Sequence, residues 1–380
     1  MVRNMDFKTF RVIENKEGQN TEAFLERIWY QPYCTEDEIN RILSPRNAKD
    51  FLLKKRADIV AAHPRFYRVY LALANQNSYT SFENSFNVQH YEAFLSKLPA
   101  SDKLRCESIA YGDIYANDFN GYATKDEIWG KILYLNTNLS FFATFMNLAL
   151  LDFERKIPSK IRINALRIAV RISIRNEAMD FTLDPRGIIP QNVQTRIKQV
   201  CKNELKFIAG HEFAHFLCDH LKDSNLKKSL TFSFEEKQYF DKVYNNSQLD
   251  EFEADVNSIT RPKYSKKELK ELVKAALIWF TSLDIVEYVE SIIAPKLSDA
   301  YLTHPSAKDR YERIVKIFKS EISSIKDELE LIRNRAEQFK LFLKQDISLN
   351  YDSYEMYGSA YLDKPNTEWR GKELVDRVDY

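Results

Sequence analysis

Residues 208–217 read Ile-Ala-Gly-His-Glu-Phe-Ala-His-Phe-Leu and lie within a helical pattern that runs from Asn192 to Leu221. The two histidines, His211 and His215, are four residues apart, so their side chains lie one above the other on the same face of the helix. The residues around them are uncharged, which predicts a buried helix. The spacing therefore directs two imidazoles toward one point inside the protein.

Two imidazoles at this spacing can bind one zinc ion, and Glu212 beside them can act as a general base toward a water molecule at the same site. Zinc requires a third protein ligand. An acidic stretch downstream offers one, because Glu251 and Asp255 share a helix face. We expect Glu251 to bind the metal and Asp255 to orient one of the histidines. The sequence thus predicts one Zn²⁺ per chain, and its ligands are His211, His215 and Glu251.

The alternative to a metal centre is a pair of surface histidines on one helix and a solvated acidic face on the other. Glu253 lies on a different helix face from Glu251, and we expect it to be solvated. His220 follows His211 by nine residues and lies off the ligand face, so we expect it to support the ligands or to have a structural role. Cys218 is expected in the core and not as a ligand.

Three motifs in this order resemble the gluzincin peptidases of the CAAX prenyl endopeptidase and bacterial heat-shock protease type. Those peptidases carry HExxH followed five residues later by a histidine, then an ExEAD segment, and then a His-Pro pair followed by arginine. Residues 211–220, 251–255 and 303–310 of this chain match these motifs. The resemblance implies that His304 stabilises an oxyanion, with a structural role as the alternative. It also implies that Arg310 lies near the zinc helix, where Asp255 is its expected partner.

The resemblance covers residues 205–312, and the chain departs from the family at Gln248, where members commonly carry arginine. A second, narrower resemblance is to the Lit-type peptidases of bacterial phage exclusion, on the basis of HExxH and expected cytoplasmic residence. Together the resemblances imply a soluble zinc-dependent endopeptidase that cleaves a protein or peptide substrate. They also imply a setting of bacterial stress or phage defence.

Two other classes of function remain open. One is a non-catalytic regulatory or interaction module that zinc stabilises, although such a site has no need of the base Glu212. The other is an interaction protein that forms oligomers through residues 318–343, where apolar residues recur every seven positions. Packing of this helix on its own domain is the alternative to an oligomer.

Composition argues against several partners. Lys and Arg total 56 and Asp and Glu total 55, and this net charge of +1 gives no overall attraction to nucleic acid or anionic lipid. Four cysteines without a CxxC pair predict reduced thiols and a cytoplasmic location. Residues 132–151 are uncharged and long enough to span a bilayer, but six polar residues among them favour a buried helix of a soluble protein.

The expected fold is α+β and predominantly helical, with a zincin-like core, a small sheet or hairpin, and a long C-terminal helix. We expect a hairpin between the β-type runs 108–115 and 128–135, with its turn at 117–121, and a strand at 161–174 in preference to a helix. The predicted organisation begins with a mainly helical N-terminal region at residues 1–105 and a metallopeptidase core at 106–312. A long helix with a heptad seam at 313–347 and a polar tail at 348–380 follow.

Overall fold

Helices make up most of the chain, and a small sheet accompanies them, as the α+β prediction requires. The computed structural model describes residues 27–116, 119–154, 156–221, 227–229, 248–294, 305–363 and 374–376. The main helices are α1 (Glu36–Leu43), α2 (Ala48–Ala62), α3 (Pro64–Ala74), α4 (Gln89–Leu95), α5 (Ala100–Cys106), α6 (Asn138–Leu150), α7 (Ser159–Ser173), α8 (Gln191–Leu217), α9 (Gln248–Thr260), α10 (Lys266–Ile293), α11 (Ala307–Ile317), α12 (Lys319–Ile322), α13 (Lys326–Leu349) and α14 (Tyr351–Glu355). The strands are β1 (Ala110–Tyr111), β2 (Gly121–Asp126), β3 (Gly130–Leu135), β4 (Lys227–Ser229), β5 (Gly358–Ala360) and β6 (Leu374–Asp376).

Helix α8 is the centre of the fold. From Leu205 to Leu217 every side chain except Lys206 is buried, because helices pack against this half of α8 on several sides. Its neighbours include α4, α6, α9 and α10, together with strand β2. The residues that flank the two histidines are therefore uncharged because this part of α8 contacts protein on all of its faces.

The sheet has the strand order β1-β3-β2-β4, and its hairpin differs from the predicted one. β2 and β3 form the antiparallel hairpin, and the Asp126 carboxylate closes its turn by accepting the backbone N–H groups of Ile128 and Trp129, each at 2.8 Å. The predicted pairing of 108–115 with 128–135 as a hairpin was wrong, because β1 runs parallel to β3. Strand β2, which begins at the last residue of the predicted turn, is the antiparallel partner of β3 instead.

The preference for a strand at 161–174 was also wrong, because these residues form helix α7. Arg167 and Arg171 alternate with apolar residues, but they are also four residues apart and so share one helix face. Arg167 pairs with Asp346 at 2.6 Å and Arg171 pairs with Glu177 at 2.9 Å. The pair of Arg167 with Asp346 joins residues 179 positions apart, and such contacts are not encoded in the local pattern, which leaves the helix and strand periods nearly equal.

The single C-terminal helix predicted for 313–347 was wrong, because the chain breaks into α11, α12 and α13. The breaks fall at Phe318 and Ile325, whose apolar side chains are buried. All three helices contact α10, so the turns let the heptad residues follow the surface of that helix. Most of the heptad seam is thus covered within the chain, which favours the intramolecular alternative for these residues.

Part of the predicted polar tail is packed on the core, so the tail prediction was wrong for residues 351–363. Tyr354 and Leu362 are buried, and Asn164 donates a hydrogen bond to the carbonyl oxygen of Leu362 at 3.0 Å. The buried guanidinium of Arg171 also donates to backbone carbonyl groups of this segment, including that of Met356 at 3.0 Å. The polar composition of this segment indicated exposure to solvent, but its backbone carbonyl groups are needed as hydrogen-bond partners of the buried Arg171 side chain.

Residues 132–151 form the end of β3 and helix α6. Nearly all of the side chains of α6 are buried against the rest of the protein. Among the described residues, no helix combines the length and the apolar composition that a bilayer crossing requires. The predicted buried helix is therefore present at this position.

Glu204 on α8 is a buried carboxyl group that contacts Asn147, and burial raises its pKa to about 8. The folded protein keeps this carboxyl group protonated up to about pH 8, whereas the unfolded chain releases the proton near the ordinary glutamate pKa of 4.5. The contribution of Glu204 to stability is therefore complete below about pH 4.5 and falls as the pH rises to about 8, by at most about 1.4 kcal/mol per pH unit.

Glu204→Gln is neutral at every pH and should remove this dependence. We expect the melting temperatures of variant and wild type to be similar near pH 5, and that of the variant to be higher near pH 8. Glu312→Gln, which changes an exposed residue, serves as the control. A difference between Glu204→Gln and wild type that does not grow with pH would contradict the assignment.

Candidate metal centre

Helices α8 and α9 pack together and bring three potential metal ligands to one point. The Nε2 atoms of His211 and His215 lie 3.1 Å apart. The nearest carboxylate oxygens of Glu251 lie 3.3 Å from the first nitrogen and 3.6 Å from the second. Ligand atoms held tetrahedrally at about 2 Å from a metal ion are about 3.3 Å apart. The three side chains are fully buried and can hold a metal ion.

Glu212 lies beside these ligands and is also fully buried. Neither of its carboxylate oxygens has a hydrogen-bond partner among the described residues. Burial raises the pKa of Glu212 to about 8, while His211 and Arg310 oppose the increase and Glu251 adds to it. A carboxyl group whose pKa is near neutral is suited to exchange a proton in either direction.

Gly121, the first residue of β2, lets the sheet approach this carboxylate. A Cβ atom at position 121 would lie 2.7 Å from Oε1 of Glu212 and 2.7 Å from Cδ2 of Leu135. Both distances are shorter than van der Waals contact allows, so any other residue would displace these two side chains. The predicted turn at 117–121 does not reveal this role, since the contact joins residues that are distant in the sequence.

Asp255 connects a metal ligand to the C-terminal part of the chain. Its Oδ1 atom lies 2.9 Å from Nδ1 of His211, and Arg310 on α11 donates to both of its carboxylate oxygens, at 2.8 and 2.6 Å. Burial opposes the charged form of Asp255, but Arg310 and His211 hold its pKa below the ordinary value. Although burial favours a neutral ring, Asp255 and Glu251 raise the pKa of His211 to about 9. The ionised Asp255 holds a proton on Nδ1 of His211, so Nε2 faces His215 and Glu251 and would bind a metal ion with loss of its own proton.

His220 supports the second histidine ligand. Its Nδ1 atom lies 3.0 Å from Nδ1 of His215, and its Nε2 atom lies 3.3 Å from Oε2 of Glu253. The expectation that Glu253 is solvated was confirmed, since its side chain is 56% exposed. It also contacts His220, because the turn after α8 brings that ring to α9. The expected core position of Cys218 was wrong, since it is half-buried with Nη2 of Arg261 at 3.7 Å from Sγ.

Metal content tests the ligand set. The purified protein should contain about one divalent metal ion per chain at this centre, and His211→Ala, His215→Ala or Glu251→Ala should each lose it, because three ligands are the minimum for a tight site of this type. Elemental analysis after removal of loosely bound metal measures the stoichiometry. Glu312→Ala, at an exposed position, should retain the metal. Equal metal content in Glu251→Ala and Glu312→Ala would show that the third ligand is misassigned.

The contact between Asp255 and Arg310 gives a second test. Asp255→Asn should weaken metal binding by about 10–100-fold, because the amide supports His211 less well than the carboxylate. Arg310→Ala leaves a buried carboxylate without its guanidinium and should lower the free energy of unfolding by about 3–5 kcal/mol. Competition with a chelator and denaturant unfolding measure the two effects. An Arg310→Ala protein as stable as wild type would contradict the assigned role.

The structure brings seven of the predicted site residues together: His211, Glu212, His215, His220, Glu251, Asp255 and Arg310. His304 lies outside the described residues, and its role in catalysis stays a prediction. Gly121 and Glu253 are the contributors that the sequence did not indicate. Comparison of the chain with protein-family models, with curated proteins and with solved structures gave no match.

Proposed function

We propose that this chain is a zinc-dependent endopeptidase of the gluzincin type, which hydrolyses peptide bonds of a protein substrate. The observation that carries the proposal is the position of Glu212. Its carboxylate is fully buried, has no hydrogen-bond partner among the described residues, and lies beside three side chains with metal-ligand spacing. A buried carboxylate of this kind destabilises a fold, and a structural metal site does not need it. Its presence favours catalysis over a zinc-stabilised regulatory module.

Zinc fits the centre better than the other metals that bind the same residue types. Two imidazoles and one carboxylate leave the fourth position of a tetrahedral zinc ion open for water or substrate. Iron in oxygenases uses the same three residue types, but its octahedral ligands lie about 3 Å apart. The separations here are 3.1, 3.3 and 3.6 Å and fit either geometry. The preference for zinc therefore rests on Glu212, since an iron oxygenase does not need a general base beside its ligands, whereas a zinc hydrolase does.

The residues of the centre can each be given a role in hydrolysis. A bound zinc ion supplies a Lewis acid that polarises the scissile carbonyl group and lowers the pKa of water. Glu212 accepts a proton from the attacking water and then donates it to the nitrogen of the leaving amine. Asp255 and His220 keep the two histidine rings in position during these transfers, because each contacts the Nδ1 atom of one ring.

The centre is closed to solvent, which affects the environment in which the proposed hydrolysis takes place. Glu212 and the three ligands have no exposed surface. A centre of this kind excludes water, which strengthens the electrostatic interactions on which the proposed hydrolysis depends. The setting of stress or phage defence that the sequence resemblance implies remains part of the proposal.

The variant Glu212→Gln tests the proposal. It should keep the metal and the fold but lose at least about 100-fold in hydrolysis, because an amide cannot accept the proton. Protein N-termini can be compared by mass spectrometry in cells that produce wild type or variant at equal levels. Termini that depend on wild type identify the cleavage sites, and Glu312→Gln should reproduce them. The same termini at comparable abundance in Glu212→Gln would show that Glu212 is not the base.

A further inference from the structure

A second group of potential metal ligands lies next to His215, on the side where α8 ends. We define the outer cluster as Cys218, His220 and Glu253. One ligand atom from each of these residues lies within 4.8 Å of the others, and Nε2 of His220 is 3.3 Å from Oε2 of Glu253. Cys218 is half-buried and the Glu253 side chain is 56% exposed, so a cation can reach the cluster from solvent.

The turn after α8 holds the outer cluster in place. Asp219 has a φ of 60°, a left-handed conformation that aspartate tolerates better than most residues. The backbone N–H of His220 donates to the carbonyl oxygen of His215 at 2.9 Å, and Arg105 donates to the carbonyl oxygen of Leu217 at 2.9 Å. These contacts fix the backbone from which Cys218 and His220 extend toward α9.

The donor types of the outer cluster differ from those of the buried centre. A thiolate, an imidazole and a carboxylate together favour a borderline or soft divalent cation over magnesium or calcium. Burial raises the pKa of the Cys218 thiol, and the Arg261 guanidinium, 3.7 Å from Sγ, opposes this increase. A bound cation would itself displace the thiol proton. Asp250 lies with Oδ1 3.9 Å from Nε2 of His220 and offers a further oxygen. We propose that Cys218, His220 and Glu253 form a second site, which binds a thiophilic divalent cation of the zinc and cadmium class.

The second site also has a consequence for the first, and this step rests on the proposed zinc at the buried centre. When His215 binds metal through Nε2, its Nδ1 atom carries the proton and donates it to Nδ1 of His220. When His220 binds an outer cation through Nε2, its own proton must occupy Nδ1. Two N–H groups then face each other across 3.0 Å. Occupation of the outer cluster therefore removes the support of His215 and should weaken the buried centre by about tenfold or more.

Cadmium binding to the metal-free protein tests the outer cluster. Only the outer cluster offers a sulfur ligand, so the ultraviolet charge-transfer band between thiolate and cadmium reports it separately from the buried centre. We expect a saturable band in wild type, no band in Cys218→Ser and weaker binding in Glu253→Gln. Cys34→Ser removes another half-buried thiol and should leave the band unchanged.

The same titration of His211→Ala separates the two sites, because this variant loses a ligand of the buried centre and keeps the outer cluster. A band that persists in His211→Ala supports the second site even if the buried centre binds no metal. Circular dichroism establishes that each variant is folded. If Cys218→Ser does not fold, weaker cadmium binding in Glu253→Gln becomes the test of the outer cluster. Absence of the band in wild type, or its full amplitude in folded Cys218→Ser, would overturn the proposal.

The coupling between the sites has a separate readout that does not depend on hydrolysis. Protein is loaded with a single equivalent of zinc, freed of zinc at the outer cluster by brief chelation, and mixed with a colorimetric chelator. The rate of zinc release from the buried centre is measured with and without cadmium. Cadmium should accelerate release about tenfold more in wild type than in Cys218→Ser, whose outer cluster is impaired. Equal acceleration in the two proteins would reject the coupling, while the charge-transfer band still decides whether the outer site exists.

Discussion

Burial of charge around the metal centre is the constraint on which the rest of the structure depends. Glu212, Glu251 and Asp255 place three carboxylates in a region with almost no exposed surface. Arg310 pairs closely with Asp255 and lies 3.9 Å from Glu251. Without a metal ion, protons complete the charge balance near neutral pH, because the pKa of Glu212 is raised to about 8 and that of His211 to about 9. A divalent cation at the centre would take the place of these protons, so metal binding would be coupled to proton release and to the stability of the fold.

The arrangement of the helices around α8 follows from this constraint. α9 must lie against α8 because it carries Glu251 and Asp255, and α11 must reach both because it carries Arg310. The Arg310 guanidinium also lies over the ring of Phe280 on α10, at 4.8 Å from its centroid, which places the charge against an aromatic face. Each of these contacts joins distant parts of the chain, so the geometry of the ligands and the stability of the C-terminal half depend on each other.

The two candidate histidine ligands are supported in different ways, one by buried residues and the other by residues that reach the surface. His211 is held by the buried pair of Asp255 and Arg310, whose geometry leaves little freedom. His215 is held by His220, whose other ring nitrogen faces the partly exposed Glu253. One ligand is thus fixed by the core, whereas the other is connected to the surface, where solvent and cations can influence it. The proposed outer site would act on the buried centre through this second connection.

The sequence by itself determined what depends on residues a few positions apart. The four-residue spacings of His211 with His215 and of Glu251 with Asp255 define helix faces, and helices are local, so the candidate ligands and the base followed from the spacing. The order of the motifs also pointed to Arg310 as the partner of Asp255. A predominantly helical chain with a small sheet likewise follows from local periodicity.

Only the tertiary structure decided which distant segments meet. The parallel pairing of β1 with β3, the helix at 161–174 and the breaks at Phe318 and Ile325 all depend on partners that local periodicity does not encode. The same holds for the approach of Gly121 to Glu212 and of Glu253 to His220. Burial and the need of buried polar groups for partners act across the whole chain, so these contacts emerge only when the chain is folded.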